Sequence, residues 1–243
     1  MKESEKIIQW IKEYFEQNGK GCKAVIGISG GTDSSVCAAL LVKALGKENV
    51  FGVMMPNGTQ HDINVSEELV RFLDIPNCTV NIGSTSTTLN EEIGKAMGCD
   101  VTSYPVYYTN TPARLRMAVL YGICAIVGGR VVNTCNLSED YVGYSTKFGD
   151  AAGDFSPLSD LTKSEVRAIG RELGLPSKFV DKTPEDGMSG KSDEEKLGFS
   201  YDTLDRYIRT GEIDDLKAKE KIDHLHRTNL HKLLPMPKYE KKD

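Results

Sequence analysis

The sequence is short of several things, and each shortage removes a class of protein. Its 243 residues hold one tryptophan, and no apolar run approaches the roughly twenty residues a membrane-spanning helix needs. Positive charge is not in excess: 30 Lys and Arg face 35 Asp and Glu, for a net charge of −5. A protein that grips nucleic acid by general electrostatics needs a basic surface, so nucleic acid is not an expected partner. The first residues, MKESEKIIQW, are charged and lack the apolar centre of a secretion signal, so a cytoplasmic location is expected, without a membrane. Six cysteines (Cys22, Cys37, Cys78, Cys99, Cys124, Cys135) are scattered with no CxxC pair, which argues against a disulfide framework or a zinc site. Neither a Walker loop, GxxxxGK[ST], nor a GxGxxG dinucleotide fingerprint is present.

What is present is KAVIGISGGTDSS, Lys23 to Ser35, followed by VCAALLVKAL. An apolar run, a glycine turn and an apolar segment at helical spacing read as a buried strand, a tight turn and a helix. The N-terminus of such a helix presents unpaired N–H groups and the positive end of a dipole, so it holds an anion such as a phosphate chain. Gly30 and Gly31 carry no Cβ to obstruct a phosphate, and Ser29, Ser34 and Ser35 add hydroxyls. Asp33 stands where a Walker lysine would be. An acid beside phosphate is repulsive unless a divalent cation lies between them, so Asp33 implies Mg²⁺. Helix capping by Asp33 and Ser34 is the simpler account, but it does not explain SGGTDSS as a whole.

Around this stretch, strands and helices alternate. A helix is expected over 3–17, strands at 50–55, 78–82 and Val131–Val132, a helix opening at Asp62, and another capped by Ser84 or Thr85. This alternation predicts an α/β fold, a doubly wound parallel sheet with helices on both faces, forming one domain over 1–243. Ligands then bind beyond the carboxyl ends of the strands near the switch in strand order, where SGGTDSS falls. The segment 109–129 predicts a largely apolar helix that starts at Pro112 with Thr111 as cap and is buried or packed on another chain. Arg114 and Arg116 would sit in its first turn, pointing apart. The stretch 133–160 reads as a long loop carrying Glu139, Lys147, Asp150 and Asp154. Thr162 with Glu165 predicts a capping box at the head of the next helix. Residues 181–198 read as a second loop able to act as a lid, with helices after it at 200–210 and 213–228.

At this point the chain resembles a known family. SGGTDSS is similar to the SGGxDS pyrophosphate loop of the N-type ATP pyrophosphatases, whose fold is adenine nucleotide alpha hydrolase-like, that is, Rossmann-like. ARLRM, GYSTKFGDAAGDFSPLSDLTKSEVR, SDEEKLGFSYDTLD and the terminal HK resemble the ammonia-dependent NAD synthetases over about residues 23 to 237. The resemblance implies adenylation of nicotinic acid adenine dinucleotide by ATP, then amidation by ammonia to NAD⁺, with AMP and pyrophosphate as co-products. It implies that Gly27, Ile28, Ser29, Gly30, Gly31, Thr32, Asp33 and Ser34 hold the ATP phosphates, with Thr134 and Lys163 as further ATP contacts. Glu185 stands where many members have a Ser or Thr that contacts ATP, and the position is kept in the ATP set. Asp33 and Glu139 would bind Mg²⁺, and Arg114, Lys147, Asp154, His231 and Lys232 the dinucleotide. Asp33, Lys147 and Lys163 are the implied catalytic residues. The family also implies a homodimer with the substrate site shared between subunits, and no glutaminase domain is expected here. The competing reading is another pyrophosphatase of the superfamily, such as a tRNA-modifying or thiolating enzyme. It would want a basic face or paired reactive cysteines.

Overall fold

The computed structural model describes residues 1–60, 63–181 and 192–241. Helix α1 (Glu3–Asn18) leads into strand β1 (Lys23–Gly27) and helix α2 (Thr32–Leu45). Strand β2 (Val50–Met54), helix α3 (Ile63–Leu73), strand β3 (Asn77–Thr79), helix α4 (Gly83–Met97), helix α5 (Pro105–Val127) and strand β4 (Gly129–Val131) complete the alternating part. The sheet is parallel throughout, in the order β3-β2-β1-β4. The chain steps outward from β1 to β3, then crosses to the other side of β1. The switch point is therefore at the carboxyl end of β1.

Side chains alternate across a strand. Ala24 and Ile26 of β1 face a core built with α1, α2 and α3, and Val25 faces a second core under α5. Helices thus cover both faces, as the alternation predicts. After β4 come the short helix α6 (Leu137–Val142), α7 (Lys163–Glu172) and α8 (Ser177–Val180), then α9 (Asp193–Leu197), α10 (Tyr201–Thr210) and α11 (Leu216–Asn229). Val142, Leu197, Phe199, Tyr201, Leu204, Ala218 and Ile222 form a satellite core joining α6, α9, α10 and α11.

Several boundaries differ from those read in the sequence. Helix α5 starts at Pro105, two turns before Pro112, which lies inside it. Tyr104-Pro105 already supplies a start with proline at the first position, where its missing N–H costs nothing. Arg114 and Arg116 therefore belong to the helix interior, and Thr111 caps nothing. Pro112 and Cys124 of α5 are buried and Leu115, Val119, Leu120 and Ile123 pack half-buried on the second core, while Val106, Tyr108 and Ile126 stay exposed among the described residues. Helix α4 has no Ser84 or Thr85 cap. Asn81 Oδ1 instead accepts from Gly83 N–H at 2.9 Å and Gly58 N–H at 3.0 Å. The expected loop 133–160 contains α6, which is too short to show a period, and α9 lies within the expected loop 181–198. The Asp62 helix start falls outside the described residues.

Candidate active site

The glycine loop joins β1 to α2. Gly30 has φ +74°, and a Cβ there would lie 3.1 Å from Ser66 N, so this turn requires glycine. Gly31 is the N-cap of α2, with no side chain bonding to the helix start, and the first N–H groups of the helix are left for a ligand. The hydroxyls are turned inward rather than toward an anion. Ser29 Oγ and Ser34 Oγ lie 3.0 Å apart, Ser35 Oγ donates to Gly31 O at 2.7 Å, and Thr32 Oγ1 donates to Val180 O at 3.0 Å. Ile28 N donates to Val53 O at 2.9 Å, locking the loop's entry to β2, and Gly27 lies against Met55 and Leu120. The loop thus offers its backbone, held in shape by its own side chains.

Asp33, in the first turn of α2, meets residues from two distant helices. Its Oδ2 pairs with Lys163 Nζ at 2.5 Å and its Oδ1 accepts from Asn136 Nδ2 at 3.0 Å. The same ammonium lies 3.0 Å from Glu139 Oε1. Lys163 is only 2 % exposed, and its Nζ stands 5.4 Å from the centre of the Tyr201 ring. Asn136 is the N-cap of α6, accepting from Glu139 N–H at 3.0 Å, so one residue both starts the helix and orients Asp33. Burial pushes the Glu139 carboxyl up to about 7; the Asp33 charge adds to this and Lys163 opposes it. For Lys163, burial favours the neutral amine, but two adjacent carboxylates outweigh it and hold the ammonium charged.

The heads of α6 and α7 are tied together from behind. Asp205, buried on α10, accepts from Ser138 Oγ at 2.5 Å and from Ser164 N and Oγ at 2.8 and 2.6 Å. Ser138 Oγ in turn accepts from Lys163 N–H at 3.0 Å. Thr162 and Glu165 form the capping box at the start of α7.

A second cluster lies beside the first. Arg114 Nε donates to Lys147 O at 3.3 Å, Lys147 Nζ to His231 O at 2.6 Å, and Lys232 Nζ to Gly143 O and Ser145 O at 2.7 and 3.0 Å. These four cationic or imidazole side chains thereby share one neighbourhood. Lys147 belongs to it, and among the described residues its ammonium bonds to His231 O and makes no ion pair with Asp33 or Glu139. Phe148, next to it, has φ +61°, a strained conformation for an aromatic residue. Asp154 and Lys232 line the same cleft of about 220 Å³, with Asn133, Asp140, Phe155 and Ser156. Asp154 Oδ2 accepts from Val131 N–H at 2.7 Å and Oδ1 from Tyr121 OH at 3.4 Å, and Tyr14 OH bonds to the Asp154 carbonyl at 3.2 Å. Thr134 is half-buried in the segment leaving β4. Glu185 lies outside the described residues. Sequence reasoning passed over Asn136, Tyr121 and Asp205, which act through contacts that no short motif records.

Residues 3–242 match the model of the NAD synthase family. An NH₃-dependent NAD⁺ synthetase from Mesoplasma florum is 35 % identical over 228 residues, covering 93 % of this chain and 91 % of that protein. The structure of an NMN synthetase from Francisella tularensis matches with a TM-score of 0.83 at 33 % identity, covering 97 % of both chains. The NH₃-dependent NAD synthetase of Campylobacter jejuni, solved in complex with the nitrate ion, matches with a TM-score of 0.76 at 29 % identity over 98 % of this chain and 97 % of the other. With a parallel sheet, a glycine loop at its switch point and a family match over nearly every residue, this chain belongs to the NAD synthase family.

Proposed function

We propose that the site carries out the ATP-dependent amidation of nicotinic acid adenine dinucleotide with free ammonia, giving NAD⁺, AMP and pyrophosphate. The observation that carries this reading is the Asp33–Lys163–Glu139 cluster at the N-terminus of α2, on the carboxyl edge of the sheet. It combines backbone donors, a buried ammonium and two acids, which is what a polyphosphate with a divalent cation requires. Two carboxylates that share one ammonium are close enough to share one metal ion. Mg²⁺ is commonly held by one or two carboxylates, with phosphate and water filling its shell, so Asp33 and Glu139 fit it. When bound there, Mg²⁺ neutralises charge on the phosphates and on the departing pyrophosphate.

The residues then divide the work. A carboxylate oxygen of the substrate bonds to the α-phosphorus, the bond to the β-phosphate oxygen breaks, and pyrophosphate leaves with the electron pair. The loop N–H groups and Lys163 stabilise that leaving charge. Arg114, Lys147, His231 and Lys232 gather the anionic dinucleotide, and Asp154 offers acceptors on the cleft wall. Ammonia attacks the acyl carbon, the bond from that carbon to the phosphate oxygen breaks, AMP departs with the electron pair, and the nitrogen gives up one proton to water. The apolar side chains that α5 leaves exposed, Val106, Tyr108 and Ile126, support a homodimer with this site near the interface. Six free cysteines suit a reducing, cytoplasmic setting.

The test is to incubate the protein with ATP, Mg²⁺ and nicotinic acid adenine dinucleotide, with and without ammonium, and follow NAD⁺, AMP and pyrophosphate. Ammonium-dependent NAD⁺ is expected, and its absence would overturn the reading. The NMN synthetase neighbour supports one second reading, in which nicotinic acid mononucleotide is the acid amidated. Comparing kcat/KM for the two acids decides it: a preference for the mononucleotide replaces the dinucleotide as substrate.

A further inference from the structure

Arg116 has no task in the reading above, yet its position is constrained. Helix α5 runs back from the carboxyl edge of the sheet to the start of β4, so its N-terminal turns lie nearest that edge. Leu120 of α5 comes 3.6 Å from where a Cβ on Gly27 would be, which places it over the last residue of β1. Arg116 is four residues earlier on the same helix face, one turn closer to the edge. Helical side chains lean toward the N-terminus, which carries its head still further past Gly27.

Its Nε donates to Met55 O at 3.0 Å, just beyond β2, and Met55 Cε also packs within 3.2 Å of the Gly27 Cβ position. Among the described residues the two terminal nitrogens make no hydrogen bond and the side chain has no ion pair. Asp150 is the acid whose charge it feels, while burial pulls its pKa down from the ordinary arginine value. Arginine stays charged under such conditions, and a partly desolvated guanidinium without an anion is costly. The glycine loop and Lys163 approach a ligand from the α2 side of the sheet, whereas Arg116 approaches from the α5 side.

We propose that Arg116 binds the α-phosphate of the nucleotide from the α5 side while the loop and Lys163 hold the pyrophosphate from the other. This rests on the adenylation reading. As the substrate carboxylate oxygen bonds to the α-phosphorus and the bond to the β-phosphate oxygen breaks, the non-bridging α-oxygens stay on the planar guanidinium fork. Arg116 keeps its protons throughout and remains on the adenylate after pyrophosphate has left. Arg114, two positions away and pointing elsewhere, serves the other substrate.

AMP carries the α-phosphate alone and inorganic pyrophosphate lacks it, so the two separate the halves of the site. Calorimetric titration of both into wild type, Arg116→Met and Arg116→Lys is the experiment. Arg116→Met is expected to weaken AMP about 10- to 100-fold, the loss of one or more charge-assisted hydrogen bonds, and to leave pyrophosphate unchanged. Arg116→Lys should fall between, because a point charge replaces a fork. If Arg116→Met does not fold, the Arg116→Lys comparison decides alone. Unchanged AMP affinity, or equal loss for both ligands, overturns the proposal; equal loss would make Arg116 a brace for the Met55 segment. Failure of the wild-type protein to bind either ligand would overturn the adenylation reading together with this one.

Discussion

Lys163 is a charged side chain at 2 % exposure, and its two partners, Asp33 and Glu139, come from different helices. Breaking a buried charge network by removing one member leaves the others unpaired, at a cost of about 3–5 kcal/mol. Lys163→Met should therefore lower the unfolding free energy read from urea denaturation by that amount, and Mg²⁺ without nucleotide should restore part of it by replacing the lost cation. A variant as stable as wild type would mean that the cluster is not electrostatically coupled. At this scale the sequence was only partly legible. Asp33 could be singled out because an acid among loop glycines is chemically odd. Lys163 lies 130 residues away, and nothing local to it signals that its ammonium reaches α2. The inward turn of the Ser29, Ser34 and Thr32 hydroxyls was also hidden, because a hydroxyl beside a glycine turn can equally serve a ligand or the turn itself.

The elements that carry Glu139 and Lys163 are held by α10, and that connection can be tested. Asp205→Ala would strip the acceptor from Ser138 and Ser164 at the heads of α6 and α7. A stability loss on the order of 1–3 kcal/mol is expected from the buried Ser138 hydroxyl left without its acceptor. Turnover should fall more than ATP affinity, with Asp205→Asn retaining more of both; an unchanged kcat would show that α10 does not position the site. The start of α7 also sets a pH response. Burial raises the Glu165 carboxyl pKa, but hydrogen bonds from Arg209 and Thr162 outweigh it and leave the group below the ordinary value of 4.5. A depressed acid stabilises the fold above its unfolded value, and that stabilisation is lost as pH falls through the folded value. Thermal melts between pH 7 and pH 3 should show Glu165→Gln already weakened at neutral pH and less sensitive to acid below about 4.5. A parallel acid limb in variant and wild type would refute the assignment. The α7 capping box was visible in TKSE because the motif is local. The true start of α5 was not, since two prolines competed for it and the tertiary packing used the earlier.

For the molecule as a whole, α5 presents apolar side chains that the described residues leave exposed. Ile126 is 84 % exposed, and Tyr108, on the same face of the helix, 51 %. Patches of this kind mark association surfaces. Light scattering is expected to give twice the chain mass, and Ile126→Glu should shift it to the monomer without lowering the melting temperature of the monomeric fold. A wild-type monomer at all concentrations would remove the dimer.

By itself the sequence determined the alternation of strands and helices, hence a parallel sheet covered on both faces, and a glycine loop at the end of its first strand. These follow from periodicity and from the conformational freedom of single residues, which are properties of neighbouring positions. Tertiary structure decided which cation faces Asp33, that Lys147 joins the tail rather than the loop, and that Arg116 reaches the sheet edge from the opposite side. Those are meetings of side chains separated by tens of residues or more. They depend on strand order and helix direction, which no local pattern carries.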